Sequence, residues 1–254
     1  MTDSNKNATR KLAPWHYPDF IAHRGAGKLA PENTLAAFRR GHAAGYRMFE
    51  CDVKLSADGV AYLMHDATLQ RTTDGLGDAA GEDWKTLSQL DAGNWHSAEY
   101  AGETLPTLAA VASFCMANAC HLNIEIKPIP GTEAHTGRVV ANLAAELWAG
   151  SAAPPLLTSF SEEALAAAHA AQFMLPTALL VNLVPDDWQE KLHALGCIAL
   201  DVNCLFLTDD HIREIKGAGY RLLSYTCNEA DEARRLLALG VDSVITDAMV
   251  GMLT

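Results

Sequence analysis

No apolar run in the sequence approaches the ~18 residues needed to cross a bilayer, which excludes a spanning helix. The polar N-terminus, MTDSNKNATRKLAP, lacks the apolar centre of a secretory signal. Basic residues are scarce: 19 Lys and Arg stand against 31 Asp and Glu, a net charge of −12. That balance argues against a nucleic-acid partner or an anionic membrane surface, either of which requires a basic face. The six cysteines (51, 115, 120, 197, 204 and 227) show no C-x-x-C spacing, so they offer no zinc knot. Several lie inside apolar runs, as expected of reduced core thiols in a cytoplasmic protein. The stretch GAGK at 25–28 lacks the G-x-x-x-x-G-K-[ST] spacing of a nucleotide phosphate loop.

What is present is ample apolar material. Hydrophobic residues make up 49% of 254, with a mean hydropathy of +0.01, enough for a large buried core in a soluble chain. Residues 1–13 read as a loose tail and 14–254 as one domain. Strand-like runs fall near 19–23, 47–53, 60–64, 121–127, 155–160, 176–181, 197–202, 220–225 and 242–245. Helical patterns lie between most of them, at 33–44, 107–118, 133–149, 161–171, 186–194, 208–218 and 229–238. Capping signals such as Ser161-Glu162-Glu163 and Thr208-Asp209-Asp210 open helices, and Gly45, Gly196, Gly219 and Gly240 fall where helices stop. About eight strand–helix units in one chain predict an α/β TIM barrel. Residues 66–105 break the rhythm, being rich in Gly, Asp and Thr without a clean period. A structureless loop of that length is unusual in a compact domain, so the segment reads as a small subdomain inserted after the second strand.

Charged residues collect where a barrel keeps its chemistry, at the C-terminal ends of the strands. His23 and Arg24 end the first strand, and His65 ends the run VAYLM. Glu50 and Asp52 lie two apart on one face of the second strand; Glu125 and Lys127 do the same in NIEIKP. A buried parallel strand is normally continuously apolar, so these charges need partners or a metal. Three carboxylates from two strands make a hard oxygen site for Mg²⁺ or Ca²⁺. Two histidines can act as general base and acid, and Arg24 and Lys127 can hold an anion. Together they suit in-line attack on a phosphodiester. Taken singly the same residues have plainer readings: Glu50 with Lys127 as a buried ion pair, or a strand-end histidine that is merely hydrogen-bonded.

These residues sit in motifs that resemble the glycerophosphodiester phosphodiesterases. AHRGAGKLAPENT (22–34) is similar to that family's opening HRG…PENT, and FECDVKLSADGVAYLMHDATLQRTTDGLG (49–77) to its E-x-D…HD…R-T-T-x-G block. LSQLDAGNW with GETLPTL resembles the end of its insertion, NIEIKP its third-strand motif, and SYTCN…GVDSVITD, less closely, its closing motifs. The resemblance implies a TIM barrel with an insertion and hydrolysis of small-molecule glycerophosphodiesters to sn-glycerol 3-phosphate and an alcohol. It implies one divalent cation held by Glu50, Asp52 and Glu125, with His23 and His65 as the acid–base pair and Arg24 and Lys127 on the phosphate. Asn33 is expected as the first helix's N-cap and, with Phe160 and Tyr225, as pocket wall; the family often has Trp where Tyr225 stands. Two other readings fit the same scaffold: a phospholipase D- or C-like phosphodiesterase, or a binding barrel without catalysis. Against the first, no basic or aromatic membrane-binding face is evident; against the second, no metal ligand or histidine is missing.

Overall fold

The computed structural model describes residues 13–151 and 153–253. The expected tail lies outside the described residues except for Ala13, whose carbonyl accepts a hydrogen bond of 2.8 Å from Arg221 Nε. Nine strands are formed: β1 (Phe20–Ala22), β2 (Met48–Leu55), β3 (Ala61–Leu63), β4 (His121–Ile126), β5 (Leu156–Ser159), β6 (Thr177–Val181), β7 (Ala199–Asn203), β8 (Arg221–Tyr225) and β9 (Ser243–Thr246). Eight of them run parallel in the order β1-β9-β8-β7-β6-β5-β4-β2, and a β1–β2 pairing closes the ring. The result is a TIM barrel. The ninth, β3, pairs antiparallel with β2 and stands outside the ring as an arm. Apolar content alone does not distinguish an arm from a barrel stave.

The helices are α1 (Leu35–Ala43), α2 (Trp84–Leu87), α3 (Leu108–Ala117), α4 (Glu133–Leu147), α5 (Glu162–Ala171), α6 (Trp188–Leu195), α7 (Asp209–Gly217) and α8 (Ala230–Leu239). No helix among the described residues is long and apolar enough to cross a membrane. α1 starts later than expected because Asn33 takes a left-handed backbone (φ 57). Its N-cap is therefore Thr34, whose hydroxyl accepts from the Ala37 amide at 3.2 Å, not Asn33.

All eight residues of β2 are buried, because both faces of the strand are covered. Phe49, Cys51 and Val53 face the helices and join the main core. Met48, Glu50 and Asp52 alternate with them and face the barrel axis. At the N-terminal end the axis is filled by apolar side chains, among them Ile21, Met48, Leu156, Leu223 and Ile245, with Tyr17 against them. Polar residues can therefore gather at the other end without opening the core to water.

Between the arm and α3, the inserted stretch packs on a small core of its own that includes Tyr62, Met64, Leu69, Leu87 and Leu105. The Asp91 carboxylate ties its loops together, accepting from the Gly93, Asn94 and Gly102 amides at 2.8 Å each.

Candidate active site

Glu50 and Asp52 point inward from β2, and Asp52 lies directly across the ladder from Glu125 on β4. One carboxylate oxygen from each of the three lies within 4.8 Å of the others. Burial, followed by the charge of Asp52, pushes the Glu50 carboxyl up to about 8 and Glu125 up to about 7. Burial also opposes charge on Asp52, but Arg24 and Lys127 overcome it and hold that carboxyl down to about 2. Glu50 Oε1 and Asp52 Oδ1 are buried without a hydrogen-bond partner. Three crowded carboxylates, two of them with an oxygen that no hydrogen bond satisfies, form a donor set that a hard divalent cation fits, since it would relieve both the repulsion and the desolvation.

The first turn after β1 delivers two of the expected residues. Arg24 sits in the left-handed region (φ 50), which aims its amide at Glu50 Oε2, 3.0 Å away. Its guanidinium donates to Glu32 at 2.7 Å and lies 3.2 Å from Asp52 Oδ2. Gly27 runs so close to the Asp247 backbone that any Cβ there would collide with it. That approach sets Asp247 beside His23: Nδ1 lies 2.7 Å from Asp247 Oδ1, and Nε2 lies 3.7 Å from Glu50 Oε2. Burial disfavours the imidazolium, but Asp247 and Glu50 more than offset it, and the pKa of His23 lies above the ordinary value.

His65 enters from the arm, with Nδ1 2.7 Å from Asp66 Oδ1. Burial is its largest influence, and its pKa is lowered. Arg71 binds Asp66 (2.6 and 2.9 Å) and Glu32 (2.7 and 2.8 Å) in two forked contacts. A continuous chain of charges, Arg24–Glu32–Arg71–Asp66–His65, thus runs from the first turn to the insertion.

The remaining expected residues separate by role. Lys127 Nζ lies 3.0 Å from Glu125 and 3.5 Å from Asp52, and it forms no ion pair with Glu50. Asn33 is spent on Asp52: its Nδ2 donates to Oδ2 at 2.8 Å and its Oδ1 accepts the Asp52 amide at 3.1 Å. It braces a carboxylate and lines none of the cavities at the mouth described below. Phe160 and Tyr225 meet edge-on with ring centroids 5.9 Å apart. Both line a narrow cavity of about 30 Å³ shared with His23, Glu50, Glu125 and Asp201. A wider cleft of about 400 Å³ opens on the other side of His23, walled by Lys28, Trp95 and His96.

The sequence reading missed four participants. Asp247 closes the last strand unit, and its pairing with His23 depends on barrel closure. Glu32 lies in PENT and Arg71 in RTTDG, motifs in which neither has a partner visible from sequence. Asp201 was detectable by the rule that found Glu50, a carboxylate inside the apolar run CIALDV. It is fully buried on β7 with neither oxygen hydrogen-bonded, and burial, with the charges of Glu125 and Glu50 beside it, pushes its carboxyl well above the usual carboxylate range.

Residues 23–250 match the glycerophosphoryl diester phosphodiesterase family. A glycerophosphodiester phosphodiesterase of Caldanaerobacter subterraneus is 30% identical over 232 residues, covering 89% of this chain and 93% of that one. One from Bacillus subtilis is 29% identical over 246 residues, 89% of this chain and 82% of that one. Among solved structures, an Oleispira antarctica phosphodiesterase in complex with the product sn-glycerol-3-phosphate superposes with a TM-score of 0.88 at 35% identity, covering 93% of this chain and 96% of that one. With its barrel, its inserted segment and its carboxylate-lined mouth, the chain belongs to the glycerophosphoryl diester phosphodiesterase family.

Proposed function

We propose that this barrel hydrolyses glycerophosphodiesters to sn-glycerol 3-phosphate and an alcohol, with one Mg²⁺ or Ca²⁺ and two histidines acting as base and acid. The observation that carries the reading is the convergence of Glu50, Asp52 and Glu125 within 4.8 Å, flanked by His23 and His65. A cation held by these carboxylates would neutralise charge developing on the phosphoryl oxygens. The chain's own residues divide the rest of the work. Arg24, anchored by Glu32, and Lys127, anchored by Glu125, present positive charge to the phosphate. Asp247 and Asp66 each engage the Nδ1 of one histidine, which leaves both Nε2 atoms for proton transfer. In our assignment His23 accepts the proton of the attacking oxygen, and His65 protonates the departing alcohol oxygen.

Residues 14–254 then act as one catalytic domain, with the insertion at about 66–105 supplying Asp66 and Arg71. Phe160 and Tyr225 wall the narrow cavity. Six free cysteines accord with a cytoplasmic setting, and the substrate is a small molecule. Product analysis on sn-glycero-3-phosphocholine tests the reading. Glycerol 3-phosphate with choline, released faster than choline from diacylated phosphatidylcholine, supports it; the reverse preference points to the phospholipase D-like alternative, choline phosphate with glycerol to the C-like one, and no turnover to a binding barrel.

A further inference from the structure

Lys54 continues the alternation Glu50–Asp52–Lys54 on β2 and is only 6% exposed. Among the described residues no carboxylate lies within ion-pair distance of its ammonium, and no atom accepts a hydrogen bond from it. Its direct cross-strand neighbour is Tyr62 on β3, so both side chains leave the same face of the arm. Tyr62 is fully buried, and its hydroxyl also lacks a partner. The two residues line one cavity of about 220 Å³ together with Pro128, Ile129, Pro130 and Ala79. Asp78 stands on its exposed rim without pairing to Lys54. Lys54 and Pro128 also line a neighbouring cavity of about 320 Å³ that reaches Glu125 and Lys127. Lys54 and Pro128 thus stand between this cavity and the one that reaches the candidate active site.

The Lys54 ammonium has no acceptor on the protein and keeps only slight contact with solvent, so an anion in the cavity would supply the partner it lacks. We propose that the Lys54–Tyr62 cavity is a subsite for a second anionic group, carboxylate or phosphate, carried by the alcohol half of the substrate. The inference rests on the proposed function, in which His65, carried beyond the end of the same arm, protonates the leaving alcohol. His65 follows closely on the arm that pairs Tyr62 with Lys54, and this continuity assigns the cavity to the alcohol half. Pro128 to Pro130 limit the room, so a compact charged group is accepted and a long chain is not.

sn-Glycero-3-phosphoserine and sn-glycero-3-phosphoethanolamine differ by one carboxylate, and glycerophosphoinositol 4-phosphate and glycerophosphoinositol by one phosphate. For at least one pair, the wild-type enzyme should favour the more anionic member by about tenfold in kcat/KM, mainly through KM, as one charged hydrogen bond provides. The pair that shows it identifies the anion. Lys54→Met should abolish the preference and leave glycerophosphoethanolamine turnover unchanged. Lys54→Arg should keep most of it. A wild type indifferent to both anions, or a preference that survives Lys54→Met, overturns the subsite. Titration of glycerophosphoserine and glycerophosphoinositol 4-phosphate into His65→Ala protein, with and without Lys54→Met, reads the subsite without catalysis. If the wild type cleaves nothing yet Lys54→Met still weakens that binding, the proposed function falls and the subsite stands. If binding is unaffected, the subsite falls.

Discussion

His23 Nδ1 stands 2.7 Å from Asp247 Oδ1, joining positions 224 residues apart at the seam where β9 meets β1. Closing the barrel therefore also orients the histidine. Asp247→Ala should lower kcat by roughly 10–100-fold with little change in KM, the range found when a supporting carboxylate behind a site histidine is lost. Steady-state kinetics on glycerophosphocholine check this, and an unchanged kcat removes Asp247 from the mechanism.

His23→Ala and His65→Ala should each reduce kcat by about 10²–10⁴-fold with modest change in KM, as for general acid–base groups. Either variant turning over like the wild type excludes that histidine from proton transfer.

The Asp66 carboxylate favours the imidazolium of His65, against the burial that lowers its pKa. Asp66→Asn should lower that pKa further. A general acid must be protonated, so the alkaline limb of the kcat/KM profile should move to lower pH. Movement of the acidic limb instead would make His65 the base.

At the opposite end of the barrel Asp242, with its side chain 8% exposed, bridges Lys216 and Arg221 and accepts the Leu222 amide at 2.8 Å. Asp242→Ala leaves two partly buried cations unpaired and should destabilise the fold by roughly 2–4 kcal/mol. Urea unfolding measures this, and kcat should not change, because the site lies at the other end.

Much of the architecture was legible because each signal was local. Glu50, Asp52 and Glu125 betray themselves as charges at alternate positions in otherwise apolar strands, and the strand–helix rhythm announces the barrel. The strand at 61–63 was legible as a strand, but its antiparallel pairing outside the ring was not, because strand direction is not written in apolar content. Asn33 looked like a cap because its residue type suits one; its left-handed backbone and its grip on Asp52 appear only when β2 lies beside it. The partners of the histidines show the same limit. Asp66 is adjacent to His65 in sequence, whereas Asp247 reaches His23 only through ring closure.

Removal and return of the metal tests the central claim most directly. Release of glycerol 3-phosphate from glycerophosphocholine should stop in excess chelator and resume with Mg²⁺ or Ca²⁺, while circular dichroism shows the barrel still folded. Asp52→Asn, which removes a charge at the centre of the carboxylate cluster, should not be restored by either ion at the same concentration. Undiminished release in excess chelator would contradict the account.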